Sequence, residues 1–218
     1  WDVFAKTFTT MDGTTPVDTP ITKVDEFRVN TFKTEYQYNP EVASLADGGF
    51  VVTWRSERQD NDGDDVYNIY AQRYDKDGVA LNAPGTDPAT GEFLVNTETY
   101  EQQVDPDVTG LADGGFLITW HSERQDGDNN NYYNVYGQRF NAAGTAHTDG
   151  EFLVNSYTSG QQYYSSVTAL EAEFDGGGNI TSGGGFVVTW RDDNGSSGSR
   201  GGSGQDVFGQ IYDANGNT

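Results

Sequence analysis

The sequence has no cysteine, which removes disulfide scaffolds, thiolate metal sites and cysteine nucleophiles together. Basic side chains are also scarce, with 12 Lys and Arg against 34 Asp and Glu and a formal charge of −22. Such a chain repels nucleic acid and anionic membranes at ordinary ionic strength, so cations are its natural partners. No run approaches eighteen apolar residues, so no membrane insertion is expected. The two histidines, His121 and His147, stand alone, and no Gly-x-Ser-x-Gly, His-Glu-x-x-His or phosphate-binding loop occurs. Helical periodicity is missing throughout. The chain opens Trp1-Asp2-Val3-Phe4, without a methionine or a signal peptide, as expected of a processed protein or a piece of a longer one.

What is abundant is glycine, with Asn, Asp, Thr and Tyr, a composition of short strands and turns. The stretch Leu45-Ala46-Asp47-Gly48-Gly49-Phe50-Val51-Val52-Thr53-Trp54 returns 66 residues later as Leu111 to Trp120, and its second half returns again as Gly184 to Trp190. Alternating Phe, Val and Thr running into Trp form a strand, and Asp-Gly-Gly before them a tight hairpin. Three other strands repeat with it. Phe27-Arg28-Val29-Asn30-Thr31 is answered at Phe93 and Phe152, Pro40 to Leu45 at Pro106 and Ser166, and Asn68 to Tyr74 at Asn134 and Asp206. Asp2 to Phe8 matches the last of these, so it reads as the closing strand of an earlier unit.

The expected fold is therefore all-β, with four-stranded antiparallel units resembling β-propeller blades, three units plus one leading strand. They form a single repeat array over 1–218, with the leading strand at 2–8 and units at 27–74, 93–140 and 152–212. A propeller needs about four blades to close a ring, so ring closure is not implied.

Two kinds of loop carry candidate chemistry. After Trp54 come Asp60, Asp62, Asp64 and Asp65, and after Trp120 come Asp126 and Asp128. Carboxylates at alternate positions around a glycine suit a hard cation that takes six to eight oxygens, so Ca2+ is the expected ion; the competing reading is a solvated acidic turn. The loop after the Val-Asn-Thr strand is rich in rings and amides: Tyr36 and Tyr38, then Tyr100 and Gln103, then Tyr163 and Tyr164. Flat apolar rings beside amide oxygens suit a sugar, while any single ring also serves as a cap on the core. Repetition of Asn30, Asn96 and Asn155, and of Gln72, Gln138 and Gln210, marks structural roles, because a catalytic residue is seldom triplicated. Arg73 and Arg139 read as partners of neighbouring carboxylates.

Gly-Gly-Phe-Val-Val-Thr-Trp, an acidic loop, Val-Tyr-Gly-Gln-Arg-Phe and Glu-Phe-x-Val-Asn-Thr together resemble the tandem repeat of large secreted bacterial proteins of the RTX, haemolysin-type calcium-binding class. The resemblance implies a secreted or cell-surface scaffold or adhesive module. The glycine- and aspartate-rich calcium nonapeptides that accompany such repeats are absent. The expected function is a non-enzymatic, calcium-stabilised module for adhesion or self-assembly, its partners other copies of itself, neighbouring repeats or cell-surface glycans. The unpaired leading strand motivates assembly by strand addition. The alternative is a glycan-binding, lectin-like module, and more remotely a glycoside-active enzyme, whose paired carboxylates the sequence does not single out.

Overall fold

A computed structural model describes residues 2–6, 26–60, 65–82, 91–127, 131–193 and 204–218. Every regular element in it is a strand. Blade one consists of β3 (Gln37–Ser44), β4 (Phe50–Glu57) and β5 (Tyr67–Tyr74), whose far edge carries β6 (Ala80–Leu81) and β7 (Phe93–Leu94). Blade two runs β8 (Gln103–Gly110), β9 (Phe116–Glu123), β10 (Tyr133–Phe140), β11 (Phe152–Leu153). Blade three has β12 (Gln161–Ala169), β15 (Phe186–Asp193) and β16 (Gln205–Tyr212), with a small hairpin of β13 (Ala172–Phe174) and β14 (Ile180–Gly183) inserted. Before them, β1 (Phe4–Ala5) pairs with β2 (Phe27–Arg28). All pairings are antiparallel.

The phase of the repeat differs from the sequence reading. The Phe-Leu-Val-Asn strand, taken as the first strand of its unit, instead forms the outer edge of the preceding one: Tyr70 pairs with Leu94 and Tyr136 with Leu153. The leading strand is treated likewise, since Phe4 pairs with Arg28. The asparagine behind each edge strand holds the arrangement. Asn30, Asn96 and Asn155 accept from the main-chain N–H of Val3, Ile69 and Val135 at 2.6, 2.7 and 2.7 Å. Asn96 and Asn155 also donate to the buried side chains of Asn68 and Asn134. A two-residue edge strand gives too few ladder bonds to fix its partner, and the asparagine supplies the rest.

The Asp-Gly-Gly hairpins recur in detail. Gly48 and Gly114 take φ of 85° and 86°. The second glycine serves a different end: a Cβ on Gly49, Gly115 or Gly185 would meet the carbonyl oxygen of Tyr74, Phe140 or Tyr212 at 2.3, 2.2 or 2.0 Å. Beside each stands one stacked aromatic pair, Phe50 with Tyr74, Phe116 with Phe140 and Phe186 with Tyr212.

The core lies between blades, face to face. Val3 and Val29 pack on Trp54, Tyr70 and Tyr74. Leu45, Val51, Ile69, Phe93 and Val95 of blade one and its edge meet Phe116, Ile118 and Trp120 of blade two. Leu117, Val135 and Val154 in turn meet Phe186, Val188 and Trp190. Each repeated indole therefore fills the layer shared with the preceding blade, and in two of the three its N–H reaches a buried glutamine: Trp120 donates to Gln103 at 2.9 Å and Trp190 to Gln162 at 3.0 Å. Face-to-face stacking brings β3, β8 and β12 side by side, each the first strand of its blade.

Candidate functional site

All three of these strands break register at the same place. The ladder slips between Tyr38 and Glu41, between Val104 and Asp107, and between Tyr163 and Ser166. The bulged residue is left-handed each time, Asn39 and Asp105 at φ 50° and Tyr164 at 51°. Asn and Asp tolerate that conformation, but a tyrosine held there is strained, and such strain is retained where the surrounding structure uses it. The bulges turn Asn39, Asp105 and Tyr164 onto one cavity of about 340 Å³, which Glu41, Pro106, Asp107, Ser165 and Ser166 complete. Three blades thus contribute equivalent positions to one hollow.

Asp105 is its electrostatic centre. Asn39 Nδ2 donates to Oδ1 at 3.0 Å, the Arg55 guanidinium lies 3.7 Å from the same oxygen, and His121 Nδ1 lies 3.8 Å from Oδ2. His121 is fully buried. Its Nε2 accepts the Ser165 main-chain N–H at 3.1 Å, which places the ring proton on Nδ1, facing Asp105. Burial first, then the charges of Arg191 and Arg55, push its pKa down to about 3, so the ring is neutral at physiological pH. Asp107 accepts from the Val108 N–H and, across the blade junction, from the Val167 N–H, both at 2.8 Å. Glu41 is held above the usual carboxylate range by partial burial and by the negative charge of Asp107. One carboxyl in the hollow is therefore biased toward its protonated form while its neighbour is fixed by two donors.

Two aromatic platforms flank this centre. On blade one Tyr36 stacks on Tyr38 at 5.6 Å, Tyr38 leans on Tyr67, and the Arg55 guanidinium lies 4.8 Å from the Tyr67 ring centre and 5.3 Å from that of Tyr38. On blade three Tyr163 touches Tyr164 and Tyr133, and Arg191 sits 4.7 Å over Tyr164 and 5.2 Å over Tyr163. His121 presents its ring edgewise to Tyr163 and Tyr164 and so links the platforms through Asp105. Arg55, His121 and Arg191 each directly follow the repeated tryptophan, so the end of one strand type supplies all three.

Of the residues expected to contact a glycan, Tyr164 lines the cavity, while Tyr36 stacks on Tyr38 on one side and Tyr163 touches Tyr164 on the other. Tyr100 is 76% exposed and makes no ring contact among the described residues. Gln103 needs correction: it is fully buried, and its amide oxygen is spent on the Trp120 indole. The strand's inward alternation, unbroken until the bulge, points it into the core.

Among the acidic-loop residues, Asp62, Asp64 and Asp128 lie outside the described residues. Asp60 and Asp126 accept from Asn68 and Asn134 at 2.7 and 3.1 Å, and Asp65 pairs with Arg58. Among the described residues no three acidic or histidine side chains stand close enough to hold a metal ion, so the described part of these loops does not form an oxygen cage.

Glu41, Asp105 and Asp107 are not singled out by the sequence, although Asn39-Pro40 and Asp105-Pro106 are turn-like pairs inside strands.

No protein-family model matches the chain, and no curated protein matches it. Among solved structures, it is similar to an endo-arabinase from Bacteroides thetaiotaomicron VPI-5482, at 14% identity and a TM-score of 0.46, over 91% of this chain. The chain spans 64% of that structure's length. A likeness of this degree assigns no activity to the chain. The expectation of a non-enzymatic module for adhesion or self-assembly is nevertheless corrected. The leading strand is paired within its own chain, and carboxylates that looked scattered in sequence converge on one cavity.

Proposed function

We propose that this chain recognises a glycan at the hollow between β3, β8 and β12. The observation that carries the reading is the union of two tyrosine platforms with a shared polar floor. Sugar rings have apolar faces that lie on aromatic rings, and hydroxyl rims that need fixed donors and acceptors. Tyr164 supplies the first, and Asn39, Asp105, Ser166 and Glu41 the second. Neither the absence of cysteine nor the strong negative charge opposes an extracellular setting, and secretion is part of the proposal. The test is calorimetry against oligosaccharides chosen from a broad glycan array. Tyr164→Ala is expected to weaken binding by about tenfold, the share of one ring contact, while Tyr100→Ala leaves it unchanged. Equal affinity of all three proteins contradicts the reading.

One observation favours a second reading, cleavage of the bound glycoside. Glu41 keeps its proton to higher pH than a free glutamate while Asp107 faces the same cavity. Two carboxyl groups facing one hollow are the kind of pair that hydrolysis of a glycosidic bond uses. Release of reducing ends by the wild type, lost in Glu41→Gln with binding retained, supports it. Binding without any release at long incubation removes it.

A further inference from the structure

Each bulge sets two residues of an inner strand against one tryptophan: Asn39-Pro40 against Trp54, Asp105-Pro106 against Trp120, and Tyr164-Ser165 against Trp190. A residue that leaves the ladder must have its N–H satisfied elsewhere. In blades one and two the second bulge residue is proline, which has no N–H. In blade three it is Ser165, which is buried. Its N–H is met across the blade junction by His121 Nε2 at 3.1 Å. Across the preceding junction the residue at the equivalent position is Arg55, which has donors only, and it faces Asp105 and Pro106. Arginine thus stands opposite a bulge that needs no acceptor, and histidine, with a lone pair, opposite the bulge that needs one.

Resting on the glycan reading, we propose that His121 is the positioning residue of the hollow: by taking the Ser165 N–H it holds Tyr164 in the left-handed bulge that sets the tyrosine ring on the cavity. Tyr164 lines that cavity at φ 51°, a conformation that a tyrosine keeps only where its surroundings fix it. Three contacts do so. His121 Nε2 accepts from Ser165, the Ser165 hydroxyl bonds Thr119 Oγ1 at 3.2 Å, and the His121 ring meets the Tyr164 ring edgewise at 5.8 Å. Thr119 and His121 are two residues apart on β9 and share one of its faces, so a single strand face of blade two shapes the bulge of blade three. His121 is itself fully buried and acts on a sugar through Tyr164 alone.

The experiment compares wild type, His121→Phe, His121→Gln and the double variant His121→Phe with Ser165→Pro, using fluorescently labelled whole chain on a broad glycan array. Phenylalanine keeps a ring and removes the lone pair, so binding should weaken about tenfold. Adding Ser165→Pro removes the unmet N–H, as Pro40 and Pro106 do, and should restore most of the loss. Glutamine, whose amide oxygen accepts, should lose less than phenylalanine. A readout free of any sugar accompanies these. A long-range proton–nitrogen correlation spectrum of wild type should show His121 protonated at Nδ1 and bare at Nε2, and the Ser165 amide should exchange slowly in wild type and fast in His121→Phe. Should His121→Phe fail to fold, the wild-type spectrum and His121→Gln decide alone. A ring protonated at Nε2 overturns the inference. Undiminished binding by His121→Phe, a loss that Ser165→Pro does not reverse, or a loss of binding in His121→Gln with Ser165 exchange still slow overturns it too, and each leaves the glycan reading standing. Wild type that binds nothing on the array overturns both.

Discussion

At the scale of single residues, the chain depends on polar side chains placed where apolar ones would pack as well. Gln103 accepts the Trp120 indole N–H inside the core. Replacing it by alanine leaves a buried donor unmet, a loss of about 1–3 kcal/mol. In blade one neither Trp54 Nε1 nor Gln37 Oε1 has a protein partner, so Gln37→Ala is expected to cost clearly less in urea titrations. Equal losses would show that the bond is incidental. His121 gives a second prediction, in pH. Its folded pKa, near 3, lies below that of an unfolded histidine. Between about 6.5 and 3 the unfolded chain binds the extra proton, so this residue's contribution to stability is full above that window and declines as pH falls through it. Wild type should therefore lose melting temperature between pH 7 and 4 more steeply than His121→Gln. Parallel profiles would mean that the ring titrates normally. The equivalence of His121 to Arg55 is legible in sequence. Its neutrality is not, because neutrality depends on Arg191, seventy residues away, and on burial by a third blade.

Elements show what the repeat makes legible and what it hides. Four strands per unit, hairpin glycines and the structural asparagines all follow from recurrence, because the same contact must be satisfied each time. The neighbour of the outer strand does not follow from recurrence, since its ladder is two residues long and its decisive bond comes from an asparagine outside the strand. The bulges stayed hidden for a related reason. Asn39 and Asp105 each precede a proline, but Tyr164 shares only their backbone conformation, so the motif does not recur in all three units. The second hairpin glycine gives an element-scale prediction. Gly115→Ala drives a Cβ against the Phe140 carbonyl, while a Cβ on Gly127 meets nothing within 4 Å. Overpacking of this kind costs about 1–3 kcal/mol, whereas alanine at Gly127 bears only the φ strain of its 79° backbone. Chemical denaturation of both variants checks the order, and a reversed order would show that the hairpin yields to the added methyl.

For the whole molecule, blade-on-blade packing carries the core while an excess of negative charge opposes compaction. Self-repulsion at −22 is screened over about 10 Å at 0.1 M salt, so the melting temperature should rise between 10 and 200 mM sodium chloride. Magnesium and calcium chlorides at equal concentration separate screening from a specific ion. An equal response marks screening, and a selective rise with calcium would place an ion in the loops that hold Asp62, Asp64 and Asp128. The same scale explains why the site escaped sequence reading: its groups come from three blades, and Asn39, Asp105 and Tyr164 are 66 and 59 residues apart. The most direct test of the central claim is a nuclear magnetic resonance titration with the tightest glycan from the array. The account predicts that amide signals of Asn39, Asp105, His121 and Tyr164 move together along one binding curve while that of Tyr100 stays in place. Movement confined to Tyr100 and its neighbours, with the bulge residues unchanged, would contradict it.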